Sequence, residues 1–203
     1  MRTGSRTALL MVSLAMVPAL ATPAAAQTDA RPYIDPQAPM FVGPPLPPAT
    51  LLEGFRAPIG AVVTVGHETI GEVGRVSVEL RELRDSTGGR VRGIVIEVVP
   101  EKGSQQSSYV DLDEIPPLLK GIDELLPVTS NPTQFTSFEM HYATKGELEV
   151  TASSSRNRGV VFSVEAGRFA KARRDGLTAG ELQQLRVLIE AASQKLATMP
   201  LDK

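Results

Sequence analysis

The 203-residue sequence has no cysteine, no tryptophan and only two histidines, and its aromatic content is three tyrosines and six phenylalanines. Without cysteine there can be no disulfide framework, thiolate metal cluster, cysteine nucleophile or thiol-linked lipid. His67 and His141 are far apart in sequence, and neither belongs to a His-Glu-x-x-His spacing, so no metal site is expected. Charge of one sign is lacking too: 21 Lys+Arg stand against 23 Asp+Glu, a net of −2, which gives the whole chain no bias toward a polyanion. Ser153-Ser154-Ser155 lacks the Gly-x-Ser-x-Gly elbow of a serine hydrolase. No nucleophile–base constellation and no cofactor motif can be assembled, and the expectation is a non-enzymatic protein without cofactor.

What is present begins with an address. Arg2 and Arg6 precede an apolar run over residues 8–20 broken only by Ser13 and Pro18, and Ala24-Ala25-Ala26 offers small residues for cleavage. Residues 1–26 read as a secretory signal peptide cut near Ala26, since the run is shorter than the roughly 20 apolar residues of a membrane span. No later run is comparable, so no transmembrane segment is expected after cleavage. The destination is the periplasm or the outside of the cell, where a cysteine-free chain cannot be mispaired.

Residues 27–58 form a proline-rich lead, with Pro32, Pro36, Pro39, Pro44, Pro45, Pro47, Pro48 and Pro58. Proline fixes φ and lacks a backbone donor, so an extended, disordered spacer is expected. Leu51, Leu52 and Phe55 are the exception, candidates for an apolar clip onto the body.

From residue 59 to 203 the patterning predicts one globular α+β domain. Val76, Val78 and Leu80 alternate with polar residues, a turn cluster follows at Asp85-Ser86-Thr87-Gly88-Gly89, and residues 91–99 are rich in β-branched side chains. A further strand surrounds Tyr109. Before these, Gly60, Gly66, Gly71 and Gly74 interrupt the pattern and leave the strand count of the first half open. Ile115, Leu118, Leu119, Ile122, Leu125 and Leu126 then fall on one helical stripe, with Asp113 as N-cap and Gly121 placed to admit a strand. The same order recurs: alternation over 138–143, 147–152 and 160–164, a short strand at 169–173, and a helix opened by a Thr178/Glu181 capping box with Leu182, Leu185, Leu188, Ile189, Ala192 and Leu196 inward. The prediction is two ββββα units, 59–127 and 132–198, each an antiparallel sheet closed by one amphipathic helix.

A duplicated ββββα order resembles the Pur-alpha and Whirly families, which bind single-stranded nucleic acid on their sheets. Tyr109-Val110-Asp111-Leu112-Asp113-Glu114-Ile115 and Tyr142-Ala143-Thr144-Lys145-Gly146 are similar to segments of exported bacterial proteins of unknown function. Neither resemblance carries a catalytic or binding residue to this chain.

The candidate site is basic. Arg156, Arg158, Arg168, Lys171, Arg173 and Arg174 occupy a stretch whose only acidic residue is Glu165, with Phe162 and Phe169 interleaved. Cations for phosphates and aromatic faces for bases are what single-strand binding uses. Charges on short outer strands also blunt edge aggregation, and Phe162 shares its face with Val160 and Val164. For an acidic, exported protein the latter reading leads. Asp111, Asp113 and Glu114 open a helix, where carboxylates serve capping and the helix dipole rather than a metal. The functional expectation is an exported binding or structural domain whose partner is a protein or a cell-envelope component. A nucleic-acid partner is not expected, and single-stranded nucleic-acid or polyanion binding through the basic second half is the alternative.

Overall fold

The computed structural model describes residues 48–155 and 158–200. The expected signal peptide, the lead as far as residue 47 and Arg156 lie outside the described residues.

Alternation becomes sheet in both halves. Strands β1 (Val63–Val73), β2 (Val76–Asp85), β3 (Arg90–Val98) and β4 (Gln106–Asp111) form one antiparallel meander in chain order. Strands β5 (Phe138–Ala143), β6 (Glu149–Ser155), β7 (Arg158–Ala166) and β8 (Ala172–Leu177) form a second. Helix α2 (Ile115–Leu125) follows the first sheet and α3 (Ala179–Thr198) the second. The α+β architecture of two ββββα units is therefore present.

The glycine-rich start resolves into one long strand. β1 passes through Gly66 and Gly71, with a single irregularity between Thr69 and Gly71. It turns into β2 across Gly74 and Arg75, whose φ values of 56° and 69° give the two-residue hairpin geometry that matches strand twist. At the next turn the Asp85 carboxylate accepts from Thr87 N–H at 2.7 Å and Gly89 N–H at 3.0 Å.

The helices are exchanged between halves. Helix α2 lies over β5 and β6 of the second sheet, where a Cβ on Gly121 would run into the ring of Tyr142. Helix α3 lies over β1 and β2 of the first sheet, where a Cβ on Gly71 would collide with Leu188. Each sheet is closed by the helix that follows the other one. The two helices also touch, and Arg186 of α3 chelates Asp123 of α2. Ile115, Leu118, Ile122 and Leu125 from α2 and Leu182, Leu185, Ile189, Ala192 and Leu196 from α3 join both inner sheet faces in one core.

Several local expectations change. Leu119, Leu126 and Leu188 only flank the core and are partly buried. Asp113 is exposed on Lys145; the turn before α2 instead follows Asp111, whose N–H reaches the Glu114 carboxylate at 3.5 Å. The Thr178/Glu181 box forms, with Thr178 Oγ1 accepting from Glu181 N–H at 3.1 Å and Glu181 accepting from Thr178 N–H at 2.7 Å. β8 starts at Ala172 rather than at residue 169, because Gly167 (φ 105°) donates its N–H to Ser108 Oγ and holds the preceding turn against β4.

The lead is not extended over its described end. Thr50 caps a short helix, α1 (Leu51–Gly54), by accepting from Glu53 N–H at 3.2 Å. Leu52 is buried in the notch left by the missing side chain of Gly93, while Leu51 stays exposed and Phe55 is half-buried. Of the three apolar residues expected in a clip, Leu52 is the one that docks.

Candidate functional site

The basic residues were singled out for their spacing, and the fold distributes them. Arg168, in the β7–β8 turn, reaches back to α1 and bonds Glu53 at 3.1 Å, with Glu147 at 3.6 Å on its other side. Lys171 bonds Glu147 at 2.9 Å. On β8, Arg173 bonds Asp175 at 2.6 Å and Ser163 Oγ at 3.0 Å, and Arg174 Nε donates to the Gly74 carbonyl at 2.8 Å. Each of these four cations thus has an internal acceptor. Arg158 lies on β7, and Arg156 is outside the described residues. Of the interleaved aromatics, Phe162 belongs to the core and Phe169 is exposed beneath the Arg168 guanidinium, 5.9 Å from its ring centre.

His141, which lacked a partner in sequence, has three. Its Nδ1 lies 2.7 Å from Glu149 Oε1 and 3.2 Å from Thr151 Oγ1, and its Nε2 lies 3.3 Å from Glu139. The register sets His141, Thr151, Ser163 and Asp175 in one row across the outer face of the second sheet. The hydrogen bond to His141, helped by the Thr151 hydroxyl, holds the Glu149 carboxyl below its usual range. His141 and Asp175 are exposed at the ends of this row while Thr151 and Ser163 between them are buried, and among the described residues no group of three or more His, Asp or Glu side chains is placed to hold a metal.

Grooves flank α1. One of about 780 Å³ runs along Leu51, Phe55, Val91 and Lys145, and another of about 560 Å³ along Arg56, Tyr109, Arg168 and Phe169. Lys145 is paired with Asp113 and Arg168 with Glu53, while Arg56 donates to the backbone carbonyls of Glu53 and Phe55.

The feature that local spacing did not flag is the first half of β1. Residues 63–69 are exposed without a break, so with β2 they form a ribbon that α3 approaches only at its C-terminal end, through Lys195, Leu196 and Met199. Val62 exchanges hydrogen bonds with Ser86, its C=O accepting from Ser86 N–H at 3.0 Å and its N–H donating to Ser86 Oγ at 3.1 Å. By alternation the N–H and C=O groups of Val63, Val65, His67 and Thr69 point away from β2, and β1 is the end strand of its sheet. On the outer face, register places Val65 opposite Leu83 and Leu83 opposite Val91, an apolar row across three strands. Val63 (45% exposed) and Val65 (53%) stand at its rim.

The other sheet edges differ. β4 is covered by the Gly146 loop, which leaves no room for a Cβ against the Tyr109 carbonyl, and by the Gly167 turn. β8 is six residues long and tied to the β1–β2 turn through Arg174. β5, also six residues, carries Glu139 and His141. Among the described sheet edges, β1 alone combines length, exposure and an apolar neighbouring face. The signal was in the sequence: residues 62–73 contain no Lys, Arg or Pro, the residues that commonly blunt an edge.

No protein-family model and no curated protein matches the chain.

Proposed function

We propose that this chain is an exported, non-enzymatic binding domain, and that its interaction element is the β1–β2 ribbon, which accepts an extended segment of a partner protein along β1. The uncovered run 63–69 carries this reading, because a row of outward N–H and C=O groups is a template for one more strand. Main-chain bonds to Val63, Val65, His67 and Thr69 would supply affinity. Alternate apolar side chains of the added strand would extend the Val65–Leu83–Val91 row and supply selectivity. Export is supported by the signal-peptide pattern of residues 1–26.

Peptide display against the protein tests the binding element. Selected peptides should be extended and alternate apolar with polar residues, and binding should be lost in Val65→Pro. That substitution removes an outward N–H while leaving the bonds to β2 in place. Binders indifferent to Val65→Pro would place the function elsewhere. Export is checked by fractionating cells that express the full chain: a mature N-terminus at Gln27 in the exported fraction supports it, and an intact Met1 in the cytoplasm refutes it.

Polyanion binding through the second half finds less support, since Arg168, Lys171, Arg173 and Arg174 are already bonded to carboxylates, a hydroxyl or a carbonyl.

A further inference from the structure

We infer that the strand accepted by β1 is β1 of a second copy of this chain, paired antiparallel about a two-fold axis through Gly66. This rests on the proposal that β1 is a binding edge, and it names the occupant.

Three observations carry it. The first is the extent of the free edge. It runs from Val63 to Thr69, where the irregularity before Gly71 ends the regular ladder, and Gly66 is its midpoint. Centring the axis there uses the whole run. Val63 of one copy then faces Thr69 of the other, Thr64 faces Glu68, and Val65 faces His67. Val65 with His67 and Val63 with Thr69 are residues whose main-chain groups point outward, so they are the pairs that would exchange hydrogen bonds.

The second is charge. Identical edges repel when like charges meet. Residues 63–69 hold one carboxylate, Glu68, and it is already bound by Lys195 of α3. In the symmetric register it faces a threonine. His67 leans toward Glu79, 3.7 Å away, and the Glu79 carboxylate is itself bonded by Arg81. No carboxylate meets a carboxylate, and no histidine meets a histidine.

The third is the face. With the axis perpendicular to the sheet, both copies keep their outer faces on the same side. The Val65–Leu83–Val91 row of one copy then ends beside His67 of the other, with the two Val65 side chains diagonal neighbours across the seam, in one eight-stranded sheet. The Gly146 loop and Gly167 turn on β4 and the Arg174 tie on β8 leave these competing edges less open.

The absence of native cysteine makes the register testable with single substitutions. Gly66 has an ordinary φ, and a Cβ there meets nothing closer than Glu82 Cβ at 3.9 Å, so Gly66→Cys should fold. At the axis its Cα would lie about 4.5 Å from its mate, within disulfide reach. Val63→Cys would be displaced from its mate by about six residues, roughly 20 Å along the strand, and out of reach. Under mild oxidation Gly66→Cys should form a covalent dimer and Val63→Cys should not. Sedimentation of the unmodified protein should show a concentration-dependent dimer, weakened at least about tenfold by Val65→Pro with circular dichroism unchanged.

If the protein stays monomeric and Gly66→Cys fails to cross-link, the second copy is not the occupant. Peptide binding sensitive to Val65→Pro would then preserve the binding edge, and its absence would remove both. A dimer untouched by Val65→Pro, or one cross-linked through Val63→Cys instead, would overturn the seam proposed here.

Discussion

Gly121 of α2 and Tyr142 of β5 are in such close contact that the aromatic ring occupies the space where a Cβ would be. This is how the helix of the first half seats on the sheet of the second. In an isolated helix, Gly121→Ala would stabilise by about 1 kcal/mol. Here it should destabilise by ~1–3 kcal/mol, the cost of overpacking a well-filled interface. Urea denaturation of the single variant and of its combination with Tyr142→Ala provides the check. Removing the ring should make the alanine neutral or favourable, and additive losses would contradict the contact.

Leu118 and Leu185 hold matching roles in the two helices, each fully buried, whereas Leu119 only flanks the core. Truncating Leu118 or Leu185 to alanine should cost ~2–5 kcal/mol. Leu119→Ala should cost clearly less, because its side chain is already in part hydrated. Equilibrium denaturation orders the three, and a Leu119 loss as large as that of Leu118 would refute the assignment.

The α1 clip depends on one buried carboxylate. Both oxygens of Asp111 accept from Leu51 N–H, at 2.9 and 3.0 Å, beside Leu52 in the Gly93 notch. Asp111→Ala should free α1 and speed tryptic cleavage after Arg56, with little change in the far-ultraviolet spectrum. Gly93→Ala should do the same by filling the notch. A cleavage rate equal to that of the unmodified protein in both variants would show that α1 is held by other contacts.

Glu149 provides a pH signature. Its carboxyl is held below the usual range chiefly by the His141 bond, so the folded state favours the ionised form. The stability this adds is present above the unfolded value of about 4.3 and is lost as pH falls through the lower, folded value. Carbon-detected NMR titration should give Glu149 a midpoint below 4.3 that rises in His141→Ala. Glu149→Gln should flatten the acid limb of the stability curve below about pH 4.3. No shift on removing His141 would mean that the pair does not form in solution.

Elements defined by neighbours in sequence were legible before the structure. The Val76, Val78 and Leu80 alternation became β2, and the Thr178/Glu181 box opened α3, because strand period and helix capping are local geometry. Relationships across long separations were not. Periodicity shows that α2 and α3 each have a buried face, and it does not say which sheet receives it. The basic stretch looked uncompensated because Glu53, the partner of Arg168, is 115 residues away in sequence. β1 was obscured for a related reason. Its glycines read as breaks, yet Gly71 makes room for Leu188 from the far end of the chain.

The exchanged helices have a consequence for the half as a unit. A lone ββββα segment of this kind carries a helix it cannot lay on its own sheet, and a sheet whose lid must arrive from elsewhere. It would be completed only by a second segment giving the same loan in return. Joining the two segments in one chain turns that bimolecular trade into an internal one, at effective concentrations that can reach the millimolar range for a short connection. Cutting the connection between Leu125 and Phe138 should therefore yield two fragments that fail singly and regain structure on mixing.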